Sequence, residues 1–145
     1  MPRNRIDLPK TFSFSCTIPV RITDINYGGH VGNDTVLTLI HEARMQFLHN
    51  AGLSEMEFGG TGMIMSDVSI EFKAELHYGD QVTTYITLGE ITKIGFDVYY
   101  KLEKNAPTGT KLVAVAKTGM ICFDYSKKKI ASVPKDAIGK LQGRS

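Results

Sequence analysis

The chain has 145 residues, with 17 Lys and Arg against 15 Asp and Glu, for a formal net charge of +2. A chain of this length is expected to form a single domain over residues 1–145 and to bury roughly two thirds of its unfolded surface in one core. The near balance of charge argues against a polyanion partner, so nucleic acid binding is not expected.

The opening segment MPRNRIDLPK carries charge without the apolar core of a signal peptide. No later apolar run approaches the roughly 20 residues of a membrane span, so the expected location is cytoplasmic and away from membranes. Over residues 11–21, Phe12, Phe14, Cys16, Ile18 and Val20 alternate with smaller or polar residues, the period of a strand with one buried face. Asn26-Tyr27-Gly28-Gly29-His30-Val31-Gly32 then reads as a turn, with Asn33 or Asp34 placed to cap a helix. The helix is predicted over residues 34–51, where Val36, Leu37, Ile40, Ala43, Phe47, Leu48 and Ala51 recur at helical spacing and Gly52 supplies the stop. Thr35, Thr38, Glu42, Gln46 and His49 form a polar stripe, but Leu39 and Met45 extend the apolar coverage beyond that of a surface helix. Such a helix is expected to be wrapped.

A polar, Gly-rich stretch follows at residues 55–62, and strands are predicted over 63–73, 81–91, 95–103 and 110–124, with a short helix near 134–141. One long helix and consecutive long strands give an α+β class, with a curved antiparallel sheet of about five strands around the helix. Cys16 and Cys122 have no CxxC partner or His-rich neighbour and are expected as buried free thiols. His41 and Glu42 diverge on the helix with no third ligand in view, so no metal site is proposed, and no cofactor fingerprint or GxSxG elbow occurs.

The run from Arg21 to Asn33, with Asp24, Gly29, His30, Val31 and Asn33, followed by Glu42-Ala43-Arg44 and later Tyr78-Gly79-Asp80, resembles the hotdog-fold acyl-coenzyme A thioesterases. It is most similar to the branch with 4-hydroxybenzoyl-coenzyme A thioesterase and the bacterial short-chain acyl thioesterases, over about residues 11–124. That family shows D-x-D, a glycine and H-V-N-N, then Glu and Ala-Arg on the helix. Two positions depart from it. Asn26 stands where the resemblance puts the usual catalytic carboxylate, and an amide is neither nucleophile nor general base. Gly32 replaces the first Asn of H-V-N-N.

A thioester hydrolase stabilises charge developing on the carbonyl oxygen and supplies the attacking water or carboxylate. Free N–H groups around residues 33–36 and the helix dipole suit the first task, with Tyr27, Gly29 and Asn33 as substrate-binding candidates; an ordinary capped helix is the competing reading. The catalytic candidates are Asn26, His30, Asp34 and Glu42. Asn26 would orient water or bond the thioester oxygen, or else serve the turn, as His30 would shuttle a proton or simply bond the turn backbone. Asp34 is the nearest replacement carboxylate, or a capping residue; Glu42 would face an interface or acyl pocket, or only solvent. Arg44 falls in the apolar stripe and needs a carboxylate or a route outward, and Asp24 is the expected partner, the two acting as structural support. Met63 and Met65 would line an acyl tunnel or simply the core, and Lys127-Lys128-Lys129 reads as a solvated turn or a coenzyme A phosphate contact.

The resemblance implies an acyl-coenzyme A thioesterase acting in a cleft of a homodimer or homotetramer, with an acyl thioester as partner. Two other readings are a domain that binds acyl thioesters without cleaving them, and an enoyl-thioester hydratase of the same fold.

Overall fold

Period-two patterning puts one face of each long segment inside, and the strands pair accordingly into one antiparallel sheet. A computed structural model describes residues 5–143. Its strands are β1 (Phe14–Pro19), β2 (Gly62–Phe72), β3 (Gln81–Ile91), β4 (Gly95–Ala106), β5 (Gly109–Asp124) and β6 (Lys129–Ile130). They lie in the order β1-β3-β4-β5-β2, with the two-residue β6 added on β5. That short strand accounts for six strands where about five were expected. β1 is shorter than the alternating stretch because pairing with β3 ends at Pro19 opposite Gln81, beyond which Ile22–Asp24 turns as a 3₁₀ segment.

Straight, the 16 residues of β5 would span roughly 50 Å, about twice the length of an 18-residue helix. The sheet therefore has to curl. Register shifts between Met65 and Asp67, between Leu88 and Ile91, and between Leu102 and Glu103 supply bends at three places. Val82, Ile86, Val98, Tyr100, Leu102 and Met120 are buried, as they form the core with the long helix α1 (Asn33–Asn50).

α1 buries Val36, Leu39, Ile40, Ala43, Phe47 and Leu48, so the extra apolar residue Leu39 is enclosed as its wrapping predicts. It packs on β1 and β3. The cap differs from expectation: Gly32 is the N-cap, and Asn33 and Asp34 are the first two helical residues. At the other end Gly52 takes φ 75°, the left-handed stop that glycine adopts cheaply. A short helix α2 (Lys135–Leu141) closes the chain, burying Ala137, Ile138 and Leu141. Among the described residues no helix is long and apolar enough to cross a membrane.

Cys122 is buried and free, but Cys16 is only half-buried, because β1 is an edge of the sheet. Burial, and then the charge of Glu42, push the Cys16 thiol above its ordinary range. Thr84 on β3 is fully buried and its Oγ1 has no hydrogen-bond partner among the described residues. A desolvated hydroxyl without a partner costs about 1–3 kcal/mol. Thr84→Val is therefore expected to raise stability by about 1 kcal/mol in urea denaturation; a loss of that size would reveal a partner for the hydroxyl.

Candidate functional site

The turn between the 3₁₀ segment and α1 is held by its own backbone. Asn26 N–H donates to the His30 carbonyl at 3.0 Å and Gly29 N–H to the Asn26 carbonyl at 3.1 Å, with Ile25 and Val31 bridged beside them. Val31 N–H reaches the Leu76 carbonyl at 2.9 Å, which ties the turn to the segment before β3. Asn26 Oδ1 accepts from Gly28 N–H at 2.9 Å, so the amide is locked into the turn by one end.

Two glycines give room for side chains to converge. A Cβ on Gly28 would lie 2.9 Å from His30 Cε1 and 3.4 Å from Asn26 Oδ1. On Gly32 it would lie 2.8 Å from Asp34 Oδ1 and 3.5 Å from Asn26 Nδ2. Asn26, His30 and Asp34 thus meet around the start of α1. Thr35 and Val36 N–H both donate to the Gly32 carbonyl at 3.1 Å. Gly32 has no side chain with which to cap, and among the described residues the N–H groups of Asn33 and Asp34 have no acceptor. Those free donors add to the positive end of the helix dipole, the electrostatics an oxyanion needs.

A cleft of about 290 Å³ lies there, lined by His30, Val31, Asn33, Val36 and residues 72–76. Lys73 and Glu75 on its wall had no signal in the sequence, since they sit at a strand end where exposed charge is ordinary. Gly29 takes φ 79° with open space around it, while Tyr27 projects fully into solvent. Glu42 is not part of this cluster. It lies two turns along α1, exposed, where its Oε2 accepts from Gln46 Nε2 at 2.9 Å.

Asp24 and Arg44 are both buried, but they do not pair. Asp24 Oδ2 accepts from Arg21 N–H at 2.8 Å and faces the Arg21 guanidinium at 3.5 Å, a pairing that three-residue spacing makes local. Arg44 instead donates from Nε to Glu55 Oε2 at 3.2 Å and from Nη1 to Tyr100 Oη at 3.1 Å. Tyr100 Oη bonds Thr118 Oγ1 at 2.7 Å, and His41 Nε2 bonds Glu55 Oε1 at 2.7 Å. The result is a polar chain from the helix surface into the core. Arg44 in an apolar stripe announced the need for a carboxylate; the choice of Glu55 over Asp24 depends on how the loop after α1 folds back.

Burial raises the Tyr100 phenol above its ordinary value of 10.0, against the lowering influence of Arg44. Because the neutral form is favoured in the fold, this contribution to stability is fully present below pH ~10 and lost as pH rises through the raised folded value. In an alkaline titration followed by tyrosinate absorbance, one of the 6 tyrosines is expected to ionise last, together with loss of folded structure. A single wave for all of them with the fold intact would contradict this.

A family model described as the thioesterase-like superfamily matches residues 20–141. The chain belongs to the thioesterase-like superfamily. A curated relative, a putative esterase of Aquifex aeolicus, is 26% identical over 125 residues, which are 85% of this chain and 93% of that one. Among solved structures, a 1,4-dihydroxy-2-naphthoyl-CoA thioesterase from Synechocystis superposes with a TM-score of 0.78 at 24% identity, covering 88% of this chain and 94% of its own. An Asp-to-Asn mutant of 4-hydroxybenzoyl CoA thioesterase, complexed with 4-hydroxybenzoyl CoA, gives a TM-score of 0.80 at 18% identity over 90% and 99% of the two chains. This member of the superfamily has their hotdog fold, a curved antiparallel sheet around one long helix.

Proposed function

We propose that this protein hydrolyses an acyl-coenzyme A thioester at the start of α1. The observation that carries the reading is the uncapped helix end, where free Asn33 and Asp34 N–H groups sit among Asn26, His30 and Asp34 beside a cleft. Superfamily membership and the names of the similar thioesterases support the chemistry.

In this mechanism the thioester oxygen approaches the Asn33 and Asp34 N–H groups, which stabilise the oxyanion as water adds to the carbonyl carbon. Asp34 takes the proton from that water, with Asn26 Nδ2 directed at the same space to orient it. The tetrahedral species then expels the thiolate, which takes a proton from the His30 imidazolium, and Asp34 returns the proton it took from water to His30 as free acid and coenzyme A leave. Lys73, on the cleft wall, suits the phosphates of the departing coenzyme.

A homodimer completes the proposed cleft. β2 is an edge strand whose Ile64, Met65 and Phe72 are exposed, apolar area that a second copy would cover. Sedimentation at micromolar concentration is expected to give a multiple of 16.0 kDa.

One observation favours a second reading, binding without cleavage: the position that resembles the family's acid is an amide already held by Gly28 N–H. Thiol release from a panel of short, long and aromatic acyl-coenzyme A esters separates the two. Turnover is expected, and Gly32→Ala is expected to lower it about tenfold, because its methyl would lie 2.8 Å from Asp34 Oδ1 and displace it. Glycine is a better N-cap than alanine, so the variant is also expected to lose about 0.5–1 kcal/mol of stability, and turnover is compared at a temperature where both proteins remain folded. Saturable binding by calorimetry with no thiol release from any ester would instead establish the non-hydrolytic reading.

A further inference from the structure

β4 turns Phe96, Val98, Tyr100 and Leu102 into the core at every second position, and the next member of that series is Lys104. It stands opposite the buried Val82 of β3, so its side chain leaves from the inner face of the sheet, where the alternation calls for an apolar residue. The side chain is only 13% exposed. A lysine so placed needs acceptors. Its Nζ donates to the Glu75 carbonyl at 2.6 Å and to Asp80 Oδ2 at 3.2 Å.

Both acceptors belong to the loop between β2 and β3. Asp80 Oδ2 also accepts from His77 N–H at 2.9 Å, which closes the loop on itself, and the Asp80 carbonyl accepts from Val20 N–H at 2.8 Å. Ala74, Glu75 and Leu76 form a wall of the cleft at the start of α1, although Lys104 itself does not line that cleft. The Leu76 carbonyl, one residue past the one that Lys104 holds, accepts from Val31 N–H at 2.9 Å. Val31 follows His30 directly and ends the turn that carries Asn26. One ammonium at the end of β4 is thereby linked to the cleft wall and, one peptide further, to the turn before α1.

We propose that Lys104 is a positioning residue of the thioester site: it holds the peptide between Glu75 and Leu76, which in turn holds the backbone carrying Asn26 and His30. The inference rests on the reading that the thioester is cleaved at the start of α1. Hydrogen bonds from an ammonium are stronger than neutral ones, and this one ties down a carbonyl with no other partner among the described residues. Without it the peptide is free to turn, and the Leu76 carbonyl drifts from Val31 N–H. A shift of about 1 Å at a reacting centre costs on the order of 10²-fold in rate. The ties from Asp80 to His77 and Val20 remain and limit the drift, so a smaller loss is expected.

The test measures thiol release from the most rapidly cleaved ester of the panel, and amide exchange by nuclear magnetic resonance, in the full-length protein. Lys104→Met, which keeps the reach and loses the donor, is expected to lower kcat about tenfold with KM changed less than about twofold. Lys104→Arg, which keeps charge and donors, is expected to recover most of that loss. Val31 N–H is expected to exchange about tenfold faster in Lys104→Met, while Ile40 N–H, in the middle of α1, exchanges as in the wild type. A lysine that only stabilises the fold would speed exchange at Val31 and Ile40 together and leave the kcat of the folded protein as it was, and that result overturns the proposal. So does unchanged exchange at Val31, or a loss of kcat that Lys104→Arg does not relieve. Should Lys104→Met fail to fold, Lys104→Gln, which keeps a polar end but cannot span both partners, is held to the same outcomes. If the wild type cleaves no ester, the hydrolytic reading fails on its own, and exchange still decides: faster exchange at Val31 that Lys104→Arg reverses supports the clamp, and unchanged exchange overturns it.

Discussion

Glu55→Ala is expected to destabilise the protein by about 2–3 kcal/mol, at the lower end of what removing one partner of a buried ion pair costs. Arg44 is 4% exposed and would be left as a buried charge with only Tyr100 Oη beside it. Glu55, at 22% side-chain exposure, retains access to water, which moderates the loss. For a chain of this length the change corresponds to roughly a 10 °C fall in Tm. Arg44→Met is expected to cost less, under about 1.5 kcal/mol, since it removes the buried charge and keeps a flexible side chain of similar reach. Tyr100 keeps its bond to Thr118 in that variant. The double variant, measured by thermal and urea unfolding, should recover most of the stability lost in Glu55→Ala. Simple addition of the two single effects would show that the pair is not coupled. Asp24→Asn should leave this pair undisturbed, because Asp24 bonds Arg21.

Asn26→Asp is expected to raise thiol release on the order of 10²-fold, the lower range of what a positioned general base contributes. The backbone makes the substitution mild: either side chain presents an oxygen to Gly28 N–H at the position of Asn26 Oδ1. Its other oxygen would replace Nδ2, which lies close to the space before the helix end. Steady-state kinetics should place the gain in kcat more than in KM, since a base acts in the transition state. A fall in kcat would mean that the native amide works as a hydrogen-bond donor and that a second carboxylate near Asp34 is not tolerated. Rates unchanged within twofold would remove residue 26 from the reacting centre.

Local order was legible in the residues themselves. Helical spacing from Val36 to Phe47, period-two alternation in the strands and Gly52 at the stop are short-range patterns, and the elements formed largely where those patterns lie. The excess apolar coverage at Leu39 and Met45 predicted a wrapped helix; Leu39 is enclosed under the curling sheet, whereas Met45 is 37% exposed, because the sheet does not cover that side of α1. The residues of the turn before α1 were legible too, since Asn26, His30 and Asp34 are close in sequence and a glycine-rich turn brings them close in space. The Gly32 cap was missed because Asn and Asp are better caps in isolation, and the backbone start of the helix is fixed by its tie to Leu76 nearby.

What the sequence by itself determined is the set of elements, the wrapped character of α1 and the need of Arg44 for a counter-charge. The tertiary structure alone decided which carboxylate answers that need. Asp24 and Glu55 are each a plausible reach away along the chain, and a charge is neutralised by whatever lies within a few ångströms, a distance that sequence separation does not encode. The fold-back of the loop after α1 brings Glu55 to both Arg44 and His41.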